Sequence, residues 1–242
     1  MRILGMDSSG LVATVAIVER DEKGLQKTIA EYTTNFKKTH SQTLLPMLDE
    51  VVKMTGIDLE TIDAIAVSGG PGSFTGLRIG AATAKGLGLA LNKPLVHIPT
   101  VDGIAYNMCY SNSIVCPIMD ARRNQVYTGI YAFDGTKMQV LEAQMAVGIE
   151  ELAEKLAAYD KEIIFLGDGV PVHKERLENE LMQGQKIFFA PAHMNLQRAS
   201  AVASLAFQYV DESKVESAAD HRPDYLRVSQ AEREREERLK NG

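Results

Sequence analysis

Two aspartates and one glycine-rich stretch are the places in this chain where chemistry could be done. Asp7 closes the apolar run Ile3-Leu4-Gly5-Met6 and is followed by Ser8-Ser9-Gly10. Asp120 closes a second apolar run, 114–119. A carboxylate beside hydroxyls can hold a metal–phosphate group. An aspartate at such a place can equally cap its own turn. The glycine-rich stretch is Ser68-Gly69-Gly70-Pro71-Gly72-Ser73-Phe74-Thr75-Gly76-Leu77-Arg78-Ile79-Gly80. It follows an apolar run and opens a helical pattern, which suits an anion at a helix N-terminus. It matches neither phosphate fingerprint. From Gly70 the GxGxxG pattern ends on Thr75, and no Lys-Ser or Lys-Thr follows a glycine at the spacing of a P-loop. Ser73 does not stand in GxSxG, so a nucleophile elbow is unsupported. A tight strand-to-helix turn accounts for the same glycines.

Other reactive types are scattered. The histidines at 40, 97, 173, 193 and 221 stand apart, with no HxxxH, HExxH or CxxC. No metal site is expected from such spacing, and each histidine reads as a surface or packing residue. Cys109 and Cys116 are too few for a disulfide framework. They read as buried, inert thiols in a reducing compartment. Arg122-Arg123 and Arg176 could meet phosphate, although adjacent arginines in a turn are usually solvated.

The elements that must position these residues follow from periodicity. Apolar runs predict strands at 1–7, 12–18 and 26–34. A helix over about 41–54 carries Leu44, Leu45, Leu48, Val51 and Val52 on one face. Pro46 suits only a helix start, so either Thr43 caps the helix or the helix bends there. A strand at 62–67, a helix at about 74–91, a strand at 95–98 and a helix at 100–109 complete a first half. The order then begins again: strands at 114–119, 126–133 and 137–145, helix 149–159, strand 163–166, helix 172–182, strand 186–189, helix 195–210. Both halves read βββαβαβα, with an aspartate ending each first strand and glycines (69–72 and 167–169) ending each fourth. This is an internal duplication. It predicts an α/β protein of two tandem actin-like ATPase, or ribonuclease-H-like, lobes, each a mixed sheet flanked by helices. The expected division is 1–109 and 110–228, with a mixed-charge tail at 229–242 that has no core face.

Composition narrows the classes. Of 242 residues, 45% are hydrophobic and 24% charged, as in soluble globular proteins. The net charge of −6 argues against a main task of gripping nucleic acid, which needs a basic surface. An acid at position 7 comes too soon for a secretory signal. The most apolar window, 77–95, contains Arg78, Lys85 and Asn92, so no membrane span is expected and a cytoplasmic location is.

The helix at 74–91 has one oddity. Gly76, Gly80, Ala84 and Gly88 recur at every fourth position and form a smooth stripe. Glycine within a helix costs about 0.5–1 kcal/mol relative to alanine. Close approach of another backbone explains the stripe, either this chain's own sheet or a helix outside it.

Two strings, Ile3-Leu4-Gly5-Met6-Asp7-Ser8-Ser9 and Gly70-Pro71-Gly72-Ser73-Phe74-Thr75-Gly76-Leu77-Arg78-Ile79-Gly80, closely resemble the bacterial TsaB family, once called glycoprotease-like. Asp120-Ala121-Arg122-Arg123-Asn124-Gln125-Val126-Tyr127 and Pro223-Asp224-Tyr225-Leu226-Arg227 resemble its later motifs. The resemblance spans nearly the whole chain. It implies a part in making threonylcarbamoyladenosine at adenosine 37 of tRNA, beside a catalytic paralogue, TsaD, and an ATPase, TsaE. In the paralogue an HxxxH pair after the glycine helix binds metal. The matching positions here are Thr100 and Ile104, and neither supplies an imidazole. The resemblance therefore implies a non-catalytic scaffold with no catalytic residue and no metal of its own. It leaves Asp7, Ser8, Ser9 and Asp120 as a vestigial nucleotide pocket, with ATP or ADP bound only in the assembled complex. It also moves the stripe to a subunit interface made by Leu44, Leu45, Leu48, Phe74, Gly76, Leu77, Gly80, Ala84 and Gly88. The same surface could form a homodimer. Contact with tRNA is expected only indirectly.

Three other readings compete. An actin-like ATPase or small-molecule kinase would use Asp7 and Asp120 and bind Mg-nucleotide between the lobes. A peptidase would need a metal pair or activated nucleophile, and neither spacing is present. A self-assembling structural protein is separated from a scaffold only by its partner.

Overall fold

The computed structural model describes residues 1–36 and 40–226. The tail read at 229–242 lies outside the described residues. Ten strands form two sheets of five. The first half runs β1 (Arg2–Asp7), β2 (Ala13–Arg20), β3 (Gln26–Thr34), α1 (His40–Thr55), β4 (Ala64–Gly70), α2 (Phe74–Ala90), β5 (Leu95–Pro99) and α3 (Thr100–Ala105). The second runs β6 (Ile114–Asp120), β7 (Gln125–Asp134), β8 (Lys137–Gly148), α4 (Ile149–Leu156), β9 (Ile163–Leu166), α5 (Val170–Arg176), β10 (Ile187–Phe189) and α6 (Ala199–Asp211). The strand orders are β3-β2-β1-β4-β5 and β10-β9-β6-β7-β8, so the same topology occurs twice. In each sheet the first three strands pair antiparallel and the last two join in parallel. The duplication and the actin-like order are thus present in space.

Central strands are covered on both faces, which is why β1 and β4 read as continuous apolar runs rather than alternating ones. The outer face of the first sheet packs under α1 and α2, with Leu4, Met6, Leu44, Leu48, Ile65 and Ala84 in that core. α1 runs unbroken from His40, with Pro46 inside it on an exposed position. Thr43 is therefore not its cap.

The final helix of each half crosses over. α3 packs on β6 and β7 of the second sheet, where Val101, Ile104 and Ala105 meet Val115, Met119 and Leu166. α6 packs on β1 and β2 of the first, where Val202, Leu205 and Phe207 meet Ile3, Ala66 and Val96. Gly5 allows that approach: a Cβ there would stand 2.9 Å from the Ala203 Cβ and strike the Ala199 carbonyl. The division at residue 110 therefore follows the sheets and not the helices. α6 and the segment after it belong to the first lobe's surface. One buried carboxylate ties the crossing together: Asp102 of α3 accepts from the Tyr131 hydroxyl of β7 at 2.6 Å and from the Tyr209 hydroxyl of α6 at 3.1 Å.

The smooth stripe of α2 faces inward. A Cβ at Gly76 would strike the Ser8 carbonyl, and one at Gly80 would lie 2.7 Å from Ser8 Oγ. At Gly88 it would lie 2.8 Å from Ala218 and 3.1 Å from Leu95. Ala84, Leu77, Leu44 and Leu48 are buried in the same core. This overturns the reading of Gly76, Leu77, Gly80, Ala84, Gly88, Leu44 and Leu48 as a surface for another chain: the chain's own β1–β2 turn and sheet cover them. Close backbone approach is still the reason for the glycines, but the approaching backbone is internal.

Two outcomes follow from this packing. Gly76→Ala will destabilise the isolated protein by about 1–3 kcal/mol, because the Ser8 carbonyl cannot rotate away. Chemical denaturation measures this, and a stability equal to the parent's would refute the fit. Burial raises the carboxyl pKa of Asp102, opposed by the bonds from Tyr131 and Tyr209. A carboxyl raised in the fold lends stability that is complete below its unfolded pKa and fades as pH rises through the folded value. Asp102→Asn will therefore lessen the loss of stability on going from about pH 4 to neutrality, as followed by melting temperature across pH.

Candidate functional site

A cleft of about 550 Å³ opens between the lobes. Its walls are the turns that end matching strands: Ser9–Leu11 after β1, Pro71–Phe74 after β4, Met119–Arg122 after β6 and Asp168 after β9. Tyr127 and residues 224–226 close it. This is the switch point of both sheets, where an α/β fold places ligands.

Of the four residues expected in a nucleotide pocket, only Ser9 and Asp120 reach the cleft. Asp7 is 1% exposed, and its carboxylate is spent on the chain itself. Oδ1 accepts from the Ser9 amide and hydroxyl, each at 2.7 Å, and Oδ2 accepts from the Ser68 hydroxyl at 2.5 Å. Burial raises its pKa against the pull of those bonds. Ser8 is buried too, its hydroxyl donating to the Gly76 carbonyl at 2.9 Å. The assignment of Asp7 and Ser8 to the pocket is therefore corrected: they are an internal clamp.

The glycine turn is closed in the same way. The Ser73 amide donates to the Ser9 carbonyl at 2.6 Å. Ser73 caps α2, its hydroxyl accepting from the Gly76 amide at 3.3 Å. Gly72 lacks the Cβ that would strike the Ser9 carbonyl. The Ser73 amide, which would face a phosphate at a helix N-terminus, is thus used to join two turns. Gly70 has φ +127° and lies against the Asp224 carbonyl, so glycine is required there on both counts.

The second half differs. Asp120 is exposed and accepts from the Arg122 amide at 2.8 Å. Its own amide donates to Asp168 Oδ1 at 3.1 Å. Asp168 has its pKa raised, first by burial and further by the charge of Asp120. Arg122, Arg123 and Asn124 all adopt left-handed φ, at 62°, 56° and 60°. Such backbone costs roughly 1–2 kcal/mol per residue. Anchoring holds it: the Asn124 side-chain amide donates to both oxygens of Glu150, and Arg176 donates to Asn124 Oδ1 at 3.1 Å. Arg176 also pairs with Glu150 and Glu180, so it serves structure rather than phosphate. Arg122 is left exposed on the cleft.

Phe74, expected at a subunit interface, lies in the cleft wall. Its ring meets Tyr225 at 4.8 Å, and the Arg78 guanidinium stacks 3.8 Å above it. Of the expected interface, Leu45 alone is a freely exposed side chain. Thr100 and Ile104, the positions matched to an HxxxH pair, are both buried, and Ile104 packs among apolar neighbours. Sequence reasoning missed Asp168, Asp224 and Tyr225 as cleft residues, although the glycines flanking Asp168 and the motif at 223–227 marked both places. It also missed that the lone histidines His97 and His221 come together, with ring centroids 5.5 Å apart. No helix among the described residues is long and apolar enough to cross a membrane.

A family model described as TsaD, tRNA N6-adenosine threonylcarbamoyltransferase, matches residues 27–235. The tRNA threonylcarbamoyladenosine biosynthesis protein TsaB of Escherichia coli (strain K12) is 27% identical, covering 94% of this chain and 95% of that one. The solved structure of YeaZ from Pseudomonas aeruginosa superposes with a TM-score of 0.78 at 25% identity, covering 93% of this chain and 99% of that one. The protein of the same TsaB name from Bacillus subtilis (strain 168) is 33% identical over 96% of each chain. On that match the chain belongs to the TsaB family of tRNA threonylcarbamoyladenosine biosynthesis proteins.

Proposed function

We propose that this chain is the non-catalytic subunit of the assembly that places threonylcarbamoyl on tRNA adenosine. It binds a TsaD-type catalytic paralogue and holds it in a working state, and a TsaE-type ATPase acts on the pair. The observation that carries this reading is the closed clamp of Asp7. Its carboxylate is filled by Ser9 and Ser68, and the Ser73 amide is filled by the Ser9 carbonyl. Groups already bonded within the chain in this way are not free to face metal and phosphate. The chain alone then requires no cofactor, and ATP or ADP belongs to the complex. The net charge of −6 supports only indirect contact with tRNA.

The surface offered to the partner is the outer side of α1 and α2, opposite the stripe. It presents Leu45 (53% exposed) on α1 and Leu89 (63%) on α2. Gly86 has open space where a Cβ would stand, and Ala82 beside it is exposed. Small residues between large apolar ones let a second helix lie close, and burying the large ones supplies the affinity.

Leu89→Glu and Gly86→Leu are expected to weaken binding of the purified paralogue at least tenfold while leaving the melting temperature of the isolated chain nearly unchanged. Calorimetry measures the first and a thermal melt the second. Undiminished affinity in both variants would remove this face from the interface. Self-association lost in the same variants would reassign it to a homodimer. In a reconstituted tRNA-modification assay, this chain alone will show no activity and will restore that of the paralogue. Turnover by this chain alone, or tight Mg-ATP binding to it, would favour an enzyme instead.

A further inference from the structure

Away from the Asp7 clamp, the segment 214–226 straps across the first lobe. It joins β5 through paired amide–carbonyl bonds between Leu95 and Glu216, each 2.9 Å. It joins the end of β4 where the Asp224 amide donates to the Gly69 carbonyl at 2.6 Å. Lys85 of α2 fastens it between, donating to the carbonyls of Ala219 and His221. Under this strap a nitrogen of His97, a nitrogen of His221 and a carboxylate oxygen of Glu216 lie within 4.8 Å of one another. Glu216 Oε1 stands 2.6 Å from His221 Nδ1, and Asp224 Oδ2 stands 3.3 Å from His97 Nε2.

Two features separate this cluster from a chance meeting of polar groups. The first is unmet bonding: His221 Nε2 is buried and lacks a hydrogen-bond partner among the described residues, and beside it the buried His97 Nε2 has only the Asp224 carboxylate, at 3.3 Å, within reach. The His221 side chain is wholly buried. A buried polar atom without a partner costs about 1–3 kcal/mol, so the orphaned His221 nitrogen beside a second imidazole calls for a ligand. The second is preparation of the space. A Cβ at Gly69 would run into the His97 imidazole, so glycine at 69 is what lets the ring lie there.

We propose that His97, His221 and Glu216 bind one first-row divalent transition-metal ion, zinc foremost, with Asp224 closing the fourth position. Two imidazoles and carboxylate oxygens are the donor set of zinc and its neighbours rather than of magnesium or calcium. Zinc holds such ligands at about 2.0–2.2 Å, roughly 3.4 Å from one another, so small side-chain rotations complete the shell. Two carboxylates and two neutral imidazoles carry a charge that a divalent ion neutralises, and Lys85 is turned away onto carbonyls. Three of the four ligands lie on the strap and one on β5. The ion is therefore a clip that fixes the strap to the first lobe, and with it the cleft wall at Asp224 and Tyr225.

The test uses tag-free full-length protein, stripped with EDTA and dialysed. Titration with zinc chloride in a calorimeter should show one ion per chain. Cobalt(II) in its place should give the visible absorption of a four-coordinate nitrogen–oxygen site. Saturating zinc, at about a hundred times Kd, should raise the melting temperature by roughly 5–10 °C. His97→Ala, at a partly exposed position, and Glu216→Gln should each weaken zinc binding by about 100-fold. Absence of stoichiometric binding by the parent at 0.1 mM zinc, on the order of the concentrations where weak surface histidines begin to bind, would overturn the proposal. So would binding that both variants retain in full. Should either variant fold poorly, the parent's zinc stoichiometry and its cobalt spectrum still decide the question.

Discussion

The Ser8 carbonyl meets the bare Cα of Gly76, and that meeting sets the distance between β1 and α2. No other residue at 76 would allow it, because a Cβ would strike backbone. Once the two elements are that close, Ser8 Oγ reaches the Gly76 carbonyl and the Ser9 carbonyl reaches the Ser73 amide. Both turns then serve as each other's bonding partners. In an α/β sheet, turns at this place are where a ligand's charged groups usually dock. Here the space between them is filled by the protein. The same contact that builds the first lobe occupies the Ser8 hydroxyl and the Ser73 amide within the chain.

The second lobe shows what the duplicated unit does without that closure. Gly167 matches Gly70: each ends its lobe's fourth strand with positive φ, at 108° and 127°, against a carbonyl. Asp120 matches Asp7 in the topology, yet it stays exposed, because the residues after it do not close over its carboxylate. They form a left-handed turn pinned by Glu150 and Arg176. Two copies of one supersecondary pattern thus ended with opposite solvation of the same carboxylate. Its burial depends on neighbours, Ser68 in one case and Asp168 in the other, rather than on the strand that carries it.

This is also the measure of what the chain alone revealed. Element order was legible because apolar runs and periodicity are local: the ten strands of the described residues and the repeated order of the two halves stand where spacing put them. The direction of the α2 stripe was not legible. Four small residues in a row state that something comes close, and only the tertiary fold states what. Asp7 presented the same difficulty, since the hydroxyl that quenches it lies 61 residues away. The crossing of α6 is hidden for a related reason: Gly5 and Ala203 read as unremarkable until β1 and α6 are seen to touch. His97 and His221 looked solitary because the chain distance between them is bridged by a strap with little regular structure, which periodicity does not detect.

Crossing helices tie the two lobes to each other. In a two-lobed enzyme of this architecture, closure of one lobe on the other needs a hinge with few buried ties. Here Asp102 binds Tyr131 and Tyr209 at once, joining α3, β7 and α6 across the lobes. α6 is fastened at its start through Glu31, which pairs with Arg198 and accepts from Ser200, and at its end through Arg20 on Asp211 at 2.6 and 2.7 Å. Opening the lobes would strand the buried Asp102 carboxylate without its hydroxyl donors. Relative motion of the lobes is therefore costly, while the outer side of α1 and α2 carries no such tie. A body tied together in this way loses little conformational entropy when anything lies against it.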